Sequence, residues 1–259
     1  MTLYVGTSGW AYREWKPGFY PASMGPSLWL RYLSSQLSAC EINATFYTAQ
    51  PRETFEKWSA STPGSFRFAV KMHRSLTHSR VLTQDERGAF IAEHLRSMTP
   101  LGRRLGSLLW QLHPRRKRDD GVLERLLQAL PSEPPTALEL GHGSWDEPEI
   151  DERIAAGGAT RCVVDTLGRA PARLPPGPIA YVRLRKDRYG SGERAAWLEL
   201  LAEEARGRDV YAFTKHKDAP AGDPFAGVGL AQWLAHNGCA SPRDGIERPC
   251  GPFPEEEAE

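Results

Sequence analysis

Eight short apolar runs with strand character recur along the chain: LYVGTS (3–8), CEINATFY (40–47), FRFAVKM (66–72), SLLWQL (107–112), ALELGH (137–142), CVVDT (162–166), IAYVRLR (179–185) and VYAFTKH (210–216). In CEINATFY, Cys40, Ile42, Ala44 and Phe46 line one face and Glu41, Asn43 and Thr45 the other. That is the period of two expected of a strand with one apolar and one polar side. The intervals show helical spacing instead. Leu28, Tyr32 and Leu33 begin one stripe, Leu123, Leu126, Leu127 and Leu130 form a second, and Trp197, Leu200 and Leu201 a third. Eight strands alternating with helices predict an α/β protein, a TIM-type (β/α)8 barrel. One interval departs from the pattern: LGRAPARLPPGP (167–178) is too rich in Pro and Gly for a helix, so the sixth β/α unit is expected to be degenerate. Periodicity ends near Asn237. The expected organisation is one barrel domain over 1–236 and a loose tail over 237–259.

In such a barrel one strand face meets the helices and is apolar, while the other meets the lumen. Assigning the polar residues by this rule sends Glu41, Asn43, Lys71, Gln111, Glu139, Asp165, Arg183 and Lys215 inward, with Arg185 at the exit of its strand. Nearly all fall in the second half of their strands, the end where barrel enzymes build their sites. Three carboxylates (Glu41, Glu139, Asp165) then face three cations (Lys71, Arg183, Lys215), a balance that a low-dielectric lumen tolerates. The bland alternative is a structural salt-bridge network that fills the lumen. Buried ion pairs are seldom the cheapest way to stabilise a core, so charges gathered at the functional end favour a site.

Composition narrows the options only slightly. With 259 residues, 40% hydrophobic and 25% charged, the chain can bury a sizeable core, and a net charge of +1 gives no global case for nucleic-acid or membrane binding. The four cysteines include no C-x-x-C pair, and no apolar run approaches the length of a membrane span. A cytoplasmic protein without a membrane partner is expected. RRKRDD and EEEAE are expected to be solvated surface.

Several segments carry a family resemblance. GTSGWAYREWKPGFYP, EINATFY and FRFAVKMHRSLTH, followed in order by LGSLLWQLHP, ELGHGSW, VVDT, AYVRLR and VYAFTKH, resemble the DUF72 (YecE-like) family over roughly residues 3–235. The resemblance implies a TIM-type barrel and is similar, at the level of fold, to metal-dependent endonucleases and sugar isomerases; by itself it implies no activity. His78 matches the family's T-H position. Three places depart from it. Gly141 stands where many members have arginine, RLRKDRYG replaces an R-L-H-G pattern, and Lys215 and His216 replace amides.

Three chemistries follow. Glu41, Glu139, Asp165 and His142 are ligand types suited to a divalent metal that would activate water, although no H-E-x-x-H or His-x-His pair supports them. Alternatively, Lys71, Arg183, Arg185 and Lys215 would hold a phosphate or carboxylate while Glu41, Glu139, Asp165 or His78 moves a proton. Thr7, Ser8 and the amides around Gly9 would add an anion nest, with Trp10, Asn43 and Gln111 completing the substrate contacts. A lysine beside other cations can act as a Schiff-base nucleophile, an option open to Lys71 or Lys215 although no feature of the sequence marks either. The third option is a nucleic-acid partner without turnover, held by RLRKDRYG together with Trp10, Tyr12, Trp15 and Tyr189. The expectation carried forward is a hydrolase or lyase acting on a phosphorylated or otherwise anionic small molecule, with a divalent metal as an open question.

Overall fold

Nine parallel strands build one sheet in the computed structural model, which describes residues 1–78, 84–215 and 220–239. They are β1 (Leu3–Ser8), β2 (Ala39–Ile42), β3 (Arg67–Lys71), β4 (Leu105–Gln111), β5 (Thr136–Glu139), β6 (Ala159–Arg161), β7 (Val163–Asp165), β8 (Ile179–Leu184) and β9 (Asp209–Thr214). Hydrogen-bonded neighbours run β6-β5-β4-β3-β2-β1-β9-β8-β7. Its two ends are consecutive pieces of one strand, separated only by Cys162. The β6 piece pairs with β5 and the β7 piece with β8. The protein is therefore a TIM-type barrel whose sixth strand is split.

Side chains bridge the split. Thr160 Oγ1 donates to the Ile179 carbonyl at 2.8 Å and accepts from its N–H at 3.4 Å, supplying the backbone partners that β6 does not. The approach is close enough that a Cβ on Gly177 would lie 2.2 Å from Thr160 Oγ1, and Gly177 has φ 141°. Between Asp165 and Ile179 the chain forms no helix, so the sixth unit is degenerate, as the Pro/Gly-rich run predicts.

Around the barrel lie α1 (Trp29–Gln36), α2 (Ala44–Tyr47), α3 (Arg52–Ala60), α4 (Ser75–His78), α5 (Gln84–Met98), α6 (Asp120–Ala129), α7 (Pro148–Ala156), α8 (Ser191–Glu204) and α9 (Gly227–Cys239). Asp119 caps α6, accepting the Val122 N–H at 3.0 Å, and Pro148 opens α7. The α9 helix crosses the expected domain boundary at 236; residues 240–259 lie outside the described residues. No helix among the described residues is long and apolar enough to cross a membrane.

The strand predicted over 40–47 is shorter than its pattern. It ends at Ile42, and Asn43 opens a helical turn in which the Phe46 N–H donates to the Asn43 carbonyl at 3.1 Å. Thr45 secures the turn, donating from Oγ1 to the Ile42 carbonyl (3.1 Å) and to the Lys71 carbonyl (2.6 Å). Local hydrogen bonding of this kind competes with the ladder and ends the strand.

Strand parity creates two apolar layers. The outer layer packs Leu3, Val5, Cys40, Ile42, Phe68, Val70, Trp110, Leu138, Val182 and Val210 against the helices. The inner one fills the lower lumen with Tyr4, Tyr181, Tyr211 and Phe213 against the small Ala39, Ala69 and Ala137. Rings from β1, β8 and β9 thus occupy the room that alanines on β2, β3 and β5 leave. Two residues further along each strand, at the C-terminal end, the lumen turns polar.

Candidate active site

The polar tier is built by adding two residues to the luminal register: Ala39 leads to Glu41, Ala69 to Lys71, Leu109 to Gln111, Ala137 to Glu139 and Tyr181 to Arg183. Arg183 is its hub. Its Nη2 donates to Glu41 Oε1 at 2.8 Å and its Nη1 to Glu139 Oε2 at 2.5 Å, so one guanidinium joins the carboxylates of β2 and β5 across the lumen. Gln111 Nε2 donates to Glu139 Oε1. Around Glu41, Ser8 Oγ donates to Oε1 at 2.8 Å, the Tyr181 hydroxyl to Oε2 at 2.8 Å, and Arg185 Nη2 to Oε1 at 3.2 Å and to Ser8 Oγ at 2.7 Å.

This network sets the protonation states. Glu41 is 0% exposed, and burial alone would push its pKa up. The charges of Arg183, Arg185 and Lys71 and the Tyr181 hydrogen bond outweigh burial and hold the carboxyl well below its usual range. Burial pulls Arg183 down, but the two carboxylates more than offset it and keep the guanidinium firmly charged. Glu41 is therefore a fixed anion whose lone pairs are committed. It orients Arg183 and is poorly placed to carry protons.

Lys71 has a different setting. Only 6% exposed, it makes no side-chain hydrogen bond or ion pair among the described residues; its Nζ lies 4.1 Å from the Phe46 ring centroid. Burial, then the Arg183 charge, lower its pKa, and the attractions of Glu41 and Glu139 do not restore it; the value falls to about 8. His78 also packs against Phe46, edge-on with ring centroids 5.3 Å apart, and a further 5.3 Å separates it from the His113 ring. Partial burial first, and then the neighbouring His113, Lys71, Arg74 and Arg116, lower the His78 pKa, so the imidazole is neutral at pH 7.

Asp165 does not join the group. Its Oδ1 accepts the N–H groups of Leu167 (2.9 Å), Gly168 (2.8 Å) and Arg169 (3.3 Å), while Oδ2 accepts the Trp197 indole at 2.8 Å. The carboxylate faces α8 and ties down the loop that replaces the missing helix. The luminal neighbour of Arg183 on β7 is instead Val164, 39% exposed at the mouth. Without Asp165 the tier holds two carboxylates, Glu41 and Glu139, against three cations, Lys71, Arg183 and Arg185. The balance predicted from the sequence becomes one positive charge in excess. Lys215, at the rim, is paired with Asp187 at 2.5 Å.

Other expected site residues also lie elsewhere. Thr7 shares the helix-facing side of β1 with Leu3 and Val5, and its Oγ1 donates to the Gly9 carbonyl at 2.8 Å. Trp10 packs edge-on against Trp58 of α3 at 5.3 Å. Asn43 sits half-buried at the start of α2, beyond the end of its strand. His142 pairs Nδ1 with Ser144 Oγ at 2.9 Å and caps a short turn. The four proposed metal ligands thus do not fit a common ion: Glu41 and Glu139 face Arg183, Asp165 faces Trp197, and His142 faces Ser144. Among the described residues no group of three His, Cys, Asp or Glu is placed to hold one. His216 lies outside the described residues.

Two contributors escaped the pattern of charged residues. Tyr181 shares the parity of Arg183 and was legible from it. Phe46 belongs to the site only because α2 turns it toward Lys71, which the strand-like spelling of CEINATFY conceals.

Comparison with known proteins agrees with this architecture. The family described as "Protein of unknown function DUF72" matches residues 4–241. UPF0759 protein YunF of Bacillus subtilis is 29% identical over 157 residues, 58% of this chain; the match spans 55% of that protein's length. Among solved structures, a DUF72 family protein from Thermotoga maritima superposes with a TM-score of 0.75 at 25% identity, covering 90% of this chain and 98% of that one. D-Psicose 3-epimerase from Clostridium cellulolyticum H10 gives a TM-score of 0.51 at 13% identity, covering 93% of each chain, a likeness of fold alone.

Proposed function

The chain belongs to the DUF72 family, and from that premise we propose that it is an enzyme acting on a small anionic substrate, a phosphate or carboxylate, at the C-terminal mouth of the barrel. The observation that carries this is Lys71: a buried ammonium that forms no ion pair among the described residues, in a tier with one cation in excess. An unpaired buried charge is costly to a fold. A ligand that supplies the missing negative charge recovers that cost on binding. Lys71 and the uncommitted N–H groups of Arg185 take the anion. Glu41 and Glu139 hold Arg183 rigid behind them. Neutral His78, beside Lys71, handles the proton of a hydrolysis or elimination.

A nucleic-acid partner is the second possibility, and the geometry favours it less. The cations of RLRKDRYG are engaged, Lys186 with Glu193 at 2.5 Å and Arg188 with Asp223. Trp15 and Tyr189 are buried, so neither offers a ring for stacking. Calorimetric titration separates the two. Wild type is expected to bind inorganic phosphate with an affinity that Lys71→Met lowers at least about tenfold, one ordinary charge-assisted hydrogen bond. Binding of a short DNA duplex with a steep salt dependence, and no response to phosphate, would sink the small-anion assignment.

A further inference from the structure

Lys71 combines three features that an anchoring cation does not need. It sits inside the barrel at the end of β3, no carboxylate among the described residues pairs with it, and the Phe46 ring covers one side of its ammonium. The other cations of this end are each held by a carboxylate: Arg183 and Arg185 donate to Glu41, and Lys215 to Asp187. An amine among other cations and away from water gives up its proton readily, and the free amine is a nucleophile. The arginines beside it cannot do the same, because a guanidinium stays protonated in proteins.

We propose that Lys71 attacks the carbonyl carbon of a small aldehyde or ketone that also carries an anionic group, forming an imine through Nζ. The Nζ lone pair forms the C–N bond as the carbonyl π pair moves to oxygen, and that oxygen takes a proton. The carbinolamine then loses its hydroxyl as water, and the protonated imine remains. This iminium accepts the electron pair of an adjacent C–H or C–C bond, whose proton passes to His78 or whose far carbon leaves as a second carbonyl as its hydroxyl gives up a proton; the enamine takes a proton back at carbon, and water hydrolyses the iminium to the carbonyl product and the free amine. Nothing is oxidised or reduced. His78, packed against the same Phe46 ring, is the imidazole assigned to carry the protons. The anionic group of the substrate lies against Arg185. This chemistry rests on the anion-binding role assigned above and narrows it to elimination or cleavage next to a carbonyl.

Glyoxylate, the smallest anionic aldehyde, is the probe. The full chain is incubated at pH 7 with glyoxylate and cyanoborohydride, and peptides are mapped for carboxymethyl-lysine. With a pKa of about 8, Lys71 keeps far more free amine than an ordinary lysine. Its labelling is therefore expected to be about tenfold or more faster than that of any other lysine. Inorganic phosphate should slow that labelling. Lys71→Arg should abolish it and still bind phosphate in the calorimeter. Adducts spread over surface lysines with no preference for Lys71 would overturn the imine chemistry; if phosphate still binds, the anion site itself survives. Equal labelling of Lys71 by neutral acetaldehyde would overturn the anionic requirement. Loss of both phosphate binding and selective labelling would remove both assignments.

Discussion

Two cations lie in the luminal tier of the barrel, on β3 and on β8, and they are treated in opposite ways. Arg183 is gripped by Glu41 and Glu139, and its surroundings raise its pKa. Lys71 has an aromatic face and, among the described residues, no ion pair, and its surroundings lower its pKa to about 8. A paired buried charge belongs to the scaffold, and an unpaired one keeps its chemistry available for a ligand. A similar contrast separates the carboxylates Glu41 and Asp165. Both lie in the last two residues of a strand and both are buried, but Glu41 faces the lumen while Asp165 braces a loop and Trp197.

The sharpest break of the comparison is on the paired side. Arg183→Met strands two buried carboxylates, and urea denaturation is expected to show a loss of about 3–5 kcal/mol. A loss below about 1 kcal/mol would mean that the hub is not structural. Next is Asp165→Ala, which removes a carboxylate accepting backbone and indole hydrogen bonds. It should cost about 2–3 kcal/mol and leave phosphate affinity unchanged; a matching loss of affinity would return Asp165 to the site.

The smallest effect has the opposite sign. Lys71→Met should stabilise the fold by about 1–2 kcal/mol at neutral pH. The folded pKa of about 8 is below the ordinary 10.5, so the unfolded chain binds more protons between those values. The penalty is therefore fully present below about pH 8 and fades as pH rises toward 10.5. Parallel denaturation series should show the advantage of the variant shrinking across that window. A variant less stable than wild type at pH 7 would show that Lys71 is a scaffold residue like Arg183.

Much of this was legible along the chain. Period-two alternation placed Glu41, Lys71, Gln111, Glu139 and Arg183 on the luminal face, because in an unbroken strand parity carries from one residue to the next. It failed where strands end or break. In CVVDT two adjacent valines hide the parity, and the interruption at Cys162 leaves Val164, not Asp165, on the inner face. Asn43 lies past the end of its strand, in a helical turn, where strand parity no longer assigns a face.

The sequence by itself determined the strand count, the barrel, the degenerate sixth unit, the family and most of the luminal charges. These rest on periodicity, on the conformational limits of Pro and Gly, and on motifs, all of which act between neighbours in the chain. Tertiary structure alone decided which charges meet. Glu41 and Arg183 are 142 residues apart in the chain, and their pairing depends on strand register and barrel curvature. That is why a tally of three anions and three cations became an excess of one cation, and why the excess resides on Lys71.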